Sequence, residues 1–294
     1  MAKPASAKSV TGDFWSPRTG YPGLDAAVAL IRKSVQEYTG HEPPLNSNSA
    51  YFNDHGDRHI QAVLHHAKCA TSNDFIKSVL VAEQSVLCAA IWLHDVGLFM
   101  HPAGEADEIV RAKHAERSAE FVFRLQTENR GTISPQLAEL LAELCLAHRR
   151  NYELDDFAVG PKVPEAEMWG LRGGLIGAFL RVSDAADAGQ WRTPVSVLDR
   201  WEETIPPASR QHWQAHALVH ASSLDPRNAE IVFHLTAEAD PADKLLAELV
   251  VATTEDIDST RSTFIYHGGR PWAVRFEQGN RYISPGLVYA KGYK

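Results

Sequence analysis

From residue 24 to about residue 220, apolar positions recur at helical spacing with polar residues between them, which predicts a run of amphipathic helices. Helices are expected over 25–38, with Asp25 as cap and Gly40 as stop, and over 57–70. A third should cover 75–95, capped by Asp74 and stopped by Gly97, and a fourth 105–127, with a break near Lys113. Ser134 and Pro135 place a cap and a first-turn proline on a fifth, reaching residue 149. A sixth runs over 171–188 and ends at Gly189, with further helical pieces over 195–204 and 208–221. Residues 40–57, 98–112 and 151–170 read as loops. The pattern then changes. Residues 230–236 read as a strand, 242–253 as a helix, and 264–266 and 272–276 as strands joined by a turn over 268–272. The expected fold is mainly α: a helical bundle with a small C-terminal α/β unit. Its expected divisions are a tail at 1–23, a helical domain at 24–221 and the α/β unit at 222–294.

Composition narrows the classes. The chain has 294 residues, 44% hydrophobic and 22% charged, with a net charge of −8 and no basic run. That argues against a general nucleic-acid binder or a membrane-surface protein. The first residues lack an apolar stretch and no window is long enough to cross a bilayer, so a cytoplasmic location is expected. The three cysteines, Cys69, Cys88 and Cys145, form no CxxC pair. They read as free, mostly buried thiols rather than as a disulfide or zinc framework.

The chemistry begins at His94-Asp95, where an apolar helix ends in two metal-capable side chains followed by Val96-Gly97. Burying both is unfavourable unless something pairs with them. Other helices each offer one candidate: His59, His114, His148 and Asp184. Each gap in the series His59, His94-Asp95, His114, His148, Asp184 is about one helix plus a connection, apart from the two shorter steps around the pair. Successive helices of a bundle would therefore each aim a ligand at one core site. Imidazole and carboxylate donors suit Mn, Fe, Co, Ni or Zn better than Ca. Arg149 and Arg150 directly follow His148 and could fork onto phosphate oxygens. Asp187, one turn beyond Asp184, fits either a carboxylate behind a ligand histidine or a surface acid. Trp191 could line a pocket. His65, His66 and His101 carry no assigned role. His212, His216 and His220 fall on one helical stripe.

The six-residue series resembles the HD superfamily of metal-dependent phosphohydrolases over roughly residues 50–190. The resemblance implies an HD-type helical bundle in which His59, His94, Asp95 and Asp184 hold one metal. His114 and His148 would add the ligands of a second, with Asp95 bridging both. The stretch His55-Gly56-Asp57-Arg58-His59 is also similar to a cyclic-nucleotide phosphodiesterase pattern of two histidines four apart, which implies His55 as the general acid. The implied enzyme is a hydrolase of a nucleotide or related small phosphoester, acting through a metal-bridging hydroxide with two divalent ions as cofactors. The implied catalytic residues are His55 and Asp95, and the substrate-binding residues Arg149 and Arg150. Two other functions stay open. The same ligand order resembles the di-iron oxygenases of the superfamily, and the HD unit could instead be a ligand-sensing module. Substrate identity and the role of 222–294 are not readable from the chain, and homo-oligomerisation stays open.

Overall fold

The computed structural model describes residues 18–39, 55–71, 79–102, 104–154, 171–193, 207–237, 239–240, 244–279 and 281–283. Gly40, Asp74, the expected helix over 195–204 and most of the loops over 40–57 and 151–170 lie outside the described residues.

The helices are α1 (Pro22–Thr39), α2 (Asp57–Thr71), α3 (Val81–Leu93), α4 (Asp107–Glu128), α5 (Pro135–Ala147), α6 (Gly173–Ala185), α7 (Pro207–Ala217), α8 (Lys244–Asp258) and the short α9 (Arg261–Tyr266). Single 3-10 turns occupy Val96–Phe99 and Gln190–Arg192. Helix α3 is predominantly apolar and, apart from Gln84, is buried from Ala82 to Leu93, as expected of a helix surrounded by others. It packs against α1, α2, α5 and α6, and α4 pairs with α5. Its first turn is closed by Glu83, whose carboxylate accepts from the Leu80 amide at 2.9 Å. Ser134 caps α5 as expected, its Oγ accepting from the Leu137 amide.

The sheet has four strands, β1 (Val219–Asp225), β2 (Glu230–Leu235), β3 (Ala273–Gln278) and β4 (Arg281–Ile283), in that spatial order. β1–β2 and β3–β4 are antiparallel, while β2–β3 is parallel, with α8 and α9 in the crossover. The sheet does not have a core of its own. Ile231, Phe233, Phe264 and Phe276 belong to the same buried cluster as α3 and α6, and Phe264 meets Phe179 of α6 edge-on at 5.1 Å. No helix among the described residues is long and apolar enough to cross a membrane.

Several local expectations are corrected. Residues 264–266 form the end of α9, not a strand: Phe264 is buried, while Ile265 and Tyr266 face solvent at 55% and 74%. A three-residue apolar run does not distinguish helix from strand, and docking on α6 decides it. Consequently 268–272 is a helix-to-strand connection; Gly268 takes φ +75° there, the left-handed conformation of a helix C-terminus. The helix expected to reach 221 stops at Ala217, because Val219 pairs with Leu235 in the sheet. His220 thus leaves the helical stripe and meets Gln190 instead, Nδ1 to Nε2 at 2.9 Å. α4 runs unbroken past Lys113. α1 starts at Pro22, and Asp25 sits in its first turn, accepting from the amide and hydroxyl of Thr19.

Candidate metal centre

The His94-Asp95 pair lies where α3 gives way to a 3-10 turn. His94 closes the helix, and Asp95 takes φ −110°, ψ 3° before Val96–Phe99. Gly97 does more than stop a helix here. A Cβ at this position would lie 1.9 Å from the His114 carbonyl oxygen and 2.8 Å from the Ser118 amide nitrogen. Only glycine lets the backbone of α4 come so close. Ser118 fastens the contact, its Oγ accepting from the Gly97 amide at 2.9 Å and donating to the His94 carbonyl at 2.8 Å. That approach brings His114 beside Asp95.

All six expected ligands converge, and Asp95 divides them. Its Oδ2 lies 3.3 Å from His94 Nε2 and 3.6 Å from His59 Nε2. Its Oδ1 lies 3.5 Å from His114 Nε2 and 3.7 Å from His148 Nε2. Asp184 completes the first group, its Oδ1 standing 3.3 Å from His59 Nε2 and 3.7 Å from His94 Nε2. Donor atoms bound at about 2.1 Å to one ion, at right angles, stand about 3 Å apart, so both groups have the spacing an ion requires. Among the described residues, three overlapping sets can hold one: His55, His59 and Asp95; His59, His94 and Asp184; Asp95, His114 and His148.

The outer ring nitrogens show why a cation belongs there. His94 Nδ1 donates to the Ile91 carbonyl at 2.8 Å, His114 Nδ1 to the Arg111 carbonyl at 2.6 Å, and His148 Nδ1 to the Cys145 carbonyl. His59 Nδ1 donates to Asp187 Oδ2 at 2.6 Å. With every Nδ1 carrying the hydrogen, each neutral ring turns an Nε2 lone pair inward. Yet His114 and His148 bring these nitrogens within 2.8 Å, and His59 and His94 within 3.3 Å. Facing lone pairs beside carboxylate oxygens repel, and a cation satisfies them all.

Protons answer part of this demand. Burial disfavours a charged His94, but Asp95 and Asp184 outweigh it and hold its pKa well above the ordinary value. His59 is raised against burial and Arg192 by Asp184 and Asp187. Burial would likewise raise the Asp95 and Asp184 carboxyls, yet the neighbouring histidines keep both well below the carboxylate range. His148 gets no such relief: burial, then His114, lowers its pKa to about 3.

Asp187 is 2% exposed and is the carboxylate behind His59, not a surface acid. Arg192, from the turn after α6, donates through Nη1 to the Asp187 carbonyl at 3.0 Å. Its Nη2 lies 3.2 Å from His55 Nδ1 and 3.4 Å from His55 Nε2, near-equal distances that set the guanidinium over the ring face. His55 in turn donates from Nδ1 to Asp95 Oδ2 at 2.7 Å. Burial lowers its pKa to about 3, and Arg192 contributes against the opposing pull of Asp95. In this geometry His55 is a hydrogen-bond partner that orients the Asp95 carboxylate.

The centre opens into a cavity of about 460 Å³ lined by His55, Asp95, His114, His148, Asp184 and, on the far wall, Ala252 and Asp256 of α8. Arg149 and Arg150 also line it. Arg149 donates to the Ala112 carbonyl and Arg150 to the Glu255 carboxylate, with Asp256 Oδ1 3.8 Å from Arg150 Nε. Trp191 is not among the lining residues. Arg192, Ser118 and Arg181 had no assigned role in the sequence pattern. Only Arg181 carried a signal, as an arginine inside the apolar run of α6. His66 is buried behind the site on α2, and Cys88 and Cys145 are buried free thiols while Cys69 is half-buried.

No curated protein matches the chain. The HD-CE family profile matches residues 49–264, which take in all six converging side chains and extend through α8 into α9. The chain therefore belongs to the HD-CE family, whose domain is of the HD type found in metal-dependent hydrolases.

Proposed function

We propose that the protein is a metal-dependent phosphohydrolase or phosphodiesterase acting on a nucleotide or related small phosphoester. One observation carries the reading: the two oxygens of Asp95 face separate histidine pairs at the floor of an open cavity. Two divalent ions there would supply a water of lowered pKa as nucleophile and positive charge against the phosphate oxygens. The chain's own groups do the rest. Asp95 links the two halves, with His55 fixing its orientation. His59 and His94 form the deep half, with Asp184 reaching it from the cavity wall, and His114 and His148 form the half whose histidines both line the cavity. Arg149 and Arg150 border the space where a phosphate would sit, and an anion would compete with Ala112, Glu255 and Asp256 for their guanidinium groups. The cavity volume is within the range of small-ligand sites.

The test is a nucleotide and phosphodiester panel assayed with Mn, Co, Ni, Mg and Fe added in turn. Hydrolysis with at least one pair is expected. No hydrolysis with any pair, by protein that retains two ions, would overturn the reading. The set of four histidines and two aspartates also suits a di-iron oxygenase, so oxygen uptake by the iron-loaded protein is followed in the same panel. Substrate-dependent uptake without phosphate release would replace the hydrolase.

A further inference from the structure

We infer that Arg181 is a positioning residue for the His114–His148 half of the centre, tying the turn that carries His148 to the helix that carries Asp184. The inference rests on the two-ion reading above. Arg181 and Asp184 are the only charged residues in α6, and Arg181 is 3% exposed. Its guanidinium has four acceptors. Nε donates to the Ala147 carbonyl at 2.7 Å, and Nη2 to the carbonyls of Arg149 and Tyr152, each at 2.5 Å. Nη1 donates to Ser259 Oγ at 2.9 Å.

Ala147 and Arg149 flank His148, the residue that closes α5. The last carbonyls of a helix lack partners within it, and when buried they must find them elsewhere. Arg181 supplies one to the Ala147 carbonyl and, from the same rigid planar fork, reaches the carbonyls of Arg149 and Tyr152 in the turn beyond, which holds residues 147–152 in a single path. The His148 ring is thereby placed relative to Asp184, one turn further along α6. The remaining arm reaches Ser259, just past the end of α8, so the helix whose Asp256 lines the cavity is fastened to the same guanidinium. Burial lowers the Arg181 pKa to about 10, so the fork stays charged near neutral pH. A lysine has the charge but not the planar spread of donors, and cannot span these four acceptors.

The two deep histidines have no such dependence. His59 and His94 are set by α2 and α3 and by hydrogen bonds to Asp187 and Ile91. Loss of the fork should therefore separate the two halves, which a general loosening of the fold would not do.

The experiment titrates Mn2+ into the metal-free full chain by calorimetry and follows the Mn electron paramagnetic resonance signal. It compares wild type, Arg181→Lys, Arg181→Ala and Ser259→Ala. Wild type should take up two ions and show the signal of a coupled pair. Arg181→Lys should keep the first ion at near wild-type affinity and bind the second about tenfold or more weakly, by analogy with the loss of groups that orient ligands. Its signal should become that of an isolated ion. Ser259→Ala, which removes only the arm to α8, should keep both ions. The retained first ion serves as the folding control, so Arg181→Lys carries the test even if Arg181→Ala does not fold. Two ions bound by Arg181→Lys as in wild type would overturn the inference. So would simultaneous loss of both ions by a variant that still melts cooperatively. A wild type that binds fewer than two ions would instead overturn the two-ion reading, and this inference with it.

Discussion

The two halves of the centre are assembled from similar side chains but in different surroundings. In the deep half, His59 and His94 are both 0% exposed, and His59 is backed by a carboxylate that is itself held by Arg192. In the open half, the side chains of His114 and His148 are 15% and 6% exposed, both line the cavity, and both are backed by main-chain carbonyls. A carboxylate behind an imidazole makes it a more basic ligand than a carbonyl does. On the two-ion reading proposed above, Asp95 would join a tightly built site to a more accessible one, the first suited to permanent occupancy and the second to meeting a substrate.

The strongest way to break this comparison is to remove what the halves share. Asp95→Ala should abolish uptake of both ions and all turnover, measured by metal analysis after dialysis and by the activity panel. Retention of both ions would show that Asp95 is not the bridge.

A smaller effect sharpens the deep half through its support. His66 lies on α2 behind His59, and burial takes its pKa from 6.5 to about 4 against the pull of Asp187. The folded chain keeps this ring neutral, while the unfolded ring takes a proton below about pH 6.5. Protonation thus favours the unfolded chain, and stability falls as the pH drops from about 6.5 to about 4. The window corresponds to about 3 kcal/mol. Denaturant melts of the metal-free protein across it should show that slope, and His66→Gln should flatten the slope by about this amount. Equal slopes in the two proteins would remove His66 from the account.

The most selective test changes only the backing group. Asp187→Asn should weaken the first ion by about 10- to 100-fold, the usual cost of losing a partner behind a metal-bound histidine. The second ion should keep its affinity relative to the first site being filled. An equal fall in both steps of the titration would mean that the halves are not independently supported.

Much of the helical framework was legible in the chain because its signals are local. Ser134-Pro135 caps α5 by its own chemistry, and the apolar run before His94 has one reading as a buried helix. The meeting of six distant residues was also foreshadowed, since each of the five expected helices between residues 57 and 188 carried at least one of them. What failed was decided by neighbours. Residues 264–266 have too few positions to show a period, and Phe264 takes its conformation from Phe179. Residues 219–221 look helical until β2 offers backbone partners. Asp187 could be read as a surface acid until α2 folds over it.

By itself, the sequence determined which side chains could hold ions, on which helices they ride and in what order, because helical periodicity and metal-ligand chemistry are properties of residues and short segments. The tertiary structure alone decided that Asp95 presents a different oxygen to each histidine pair and that Gly97 admits the backbone of α4. It also decided that Arg192 covers His55 and that Arg181 gathers the turn after His148. Those facts depend on distances between segments far apart in the chain, which packing sets and no local pattern encodes.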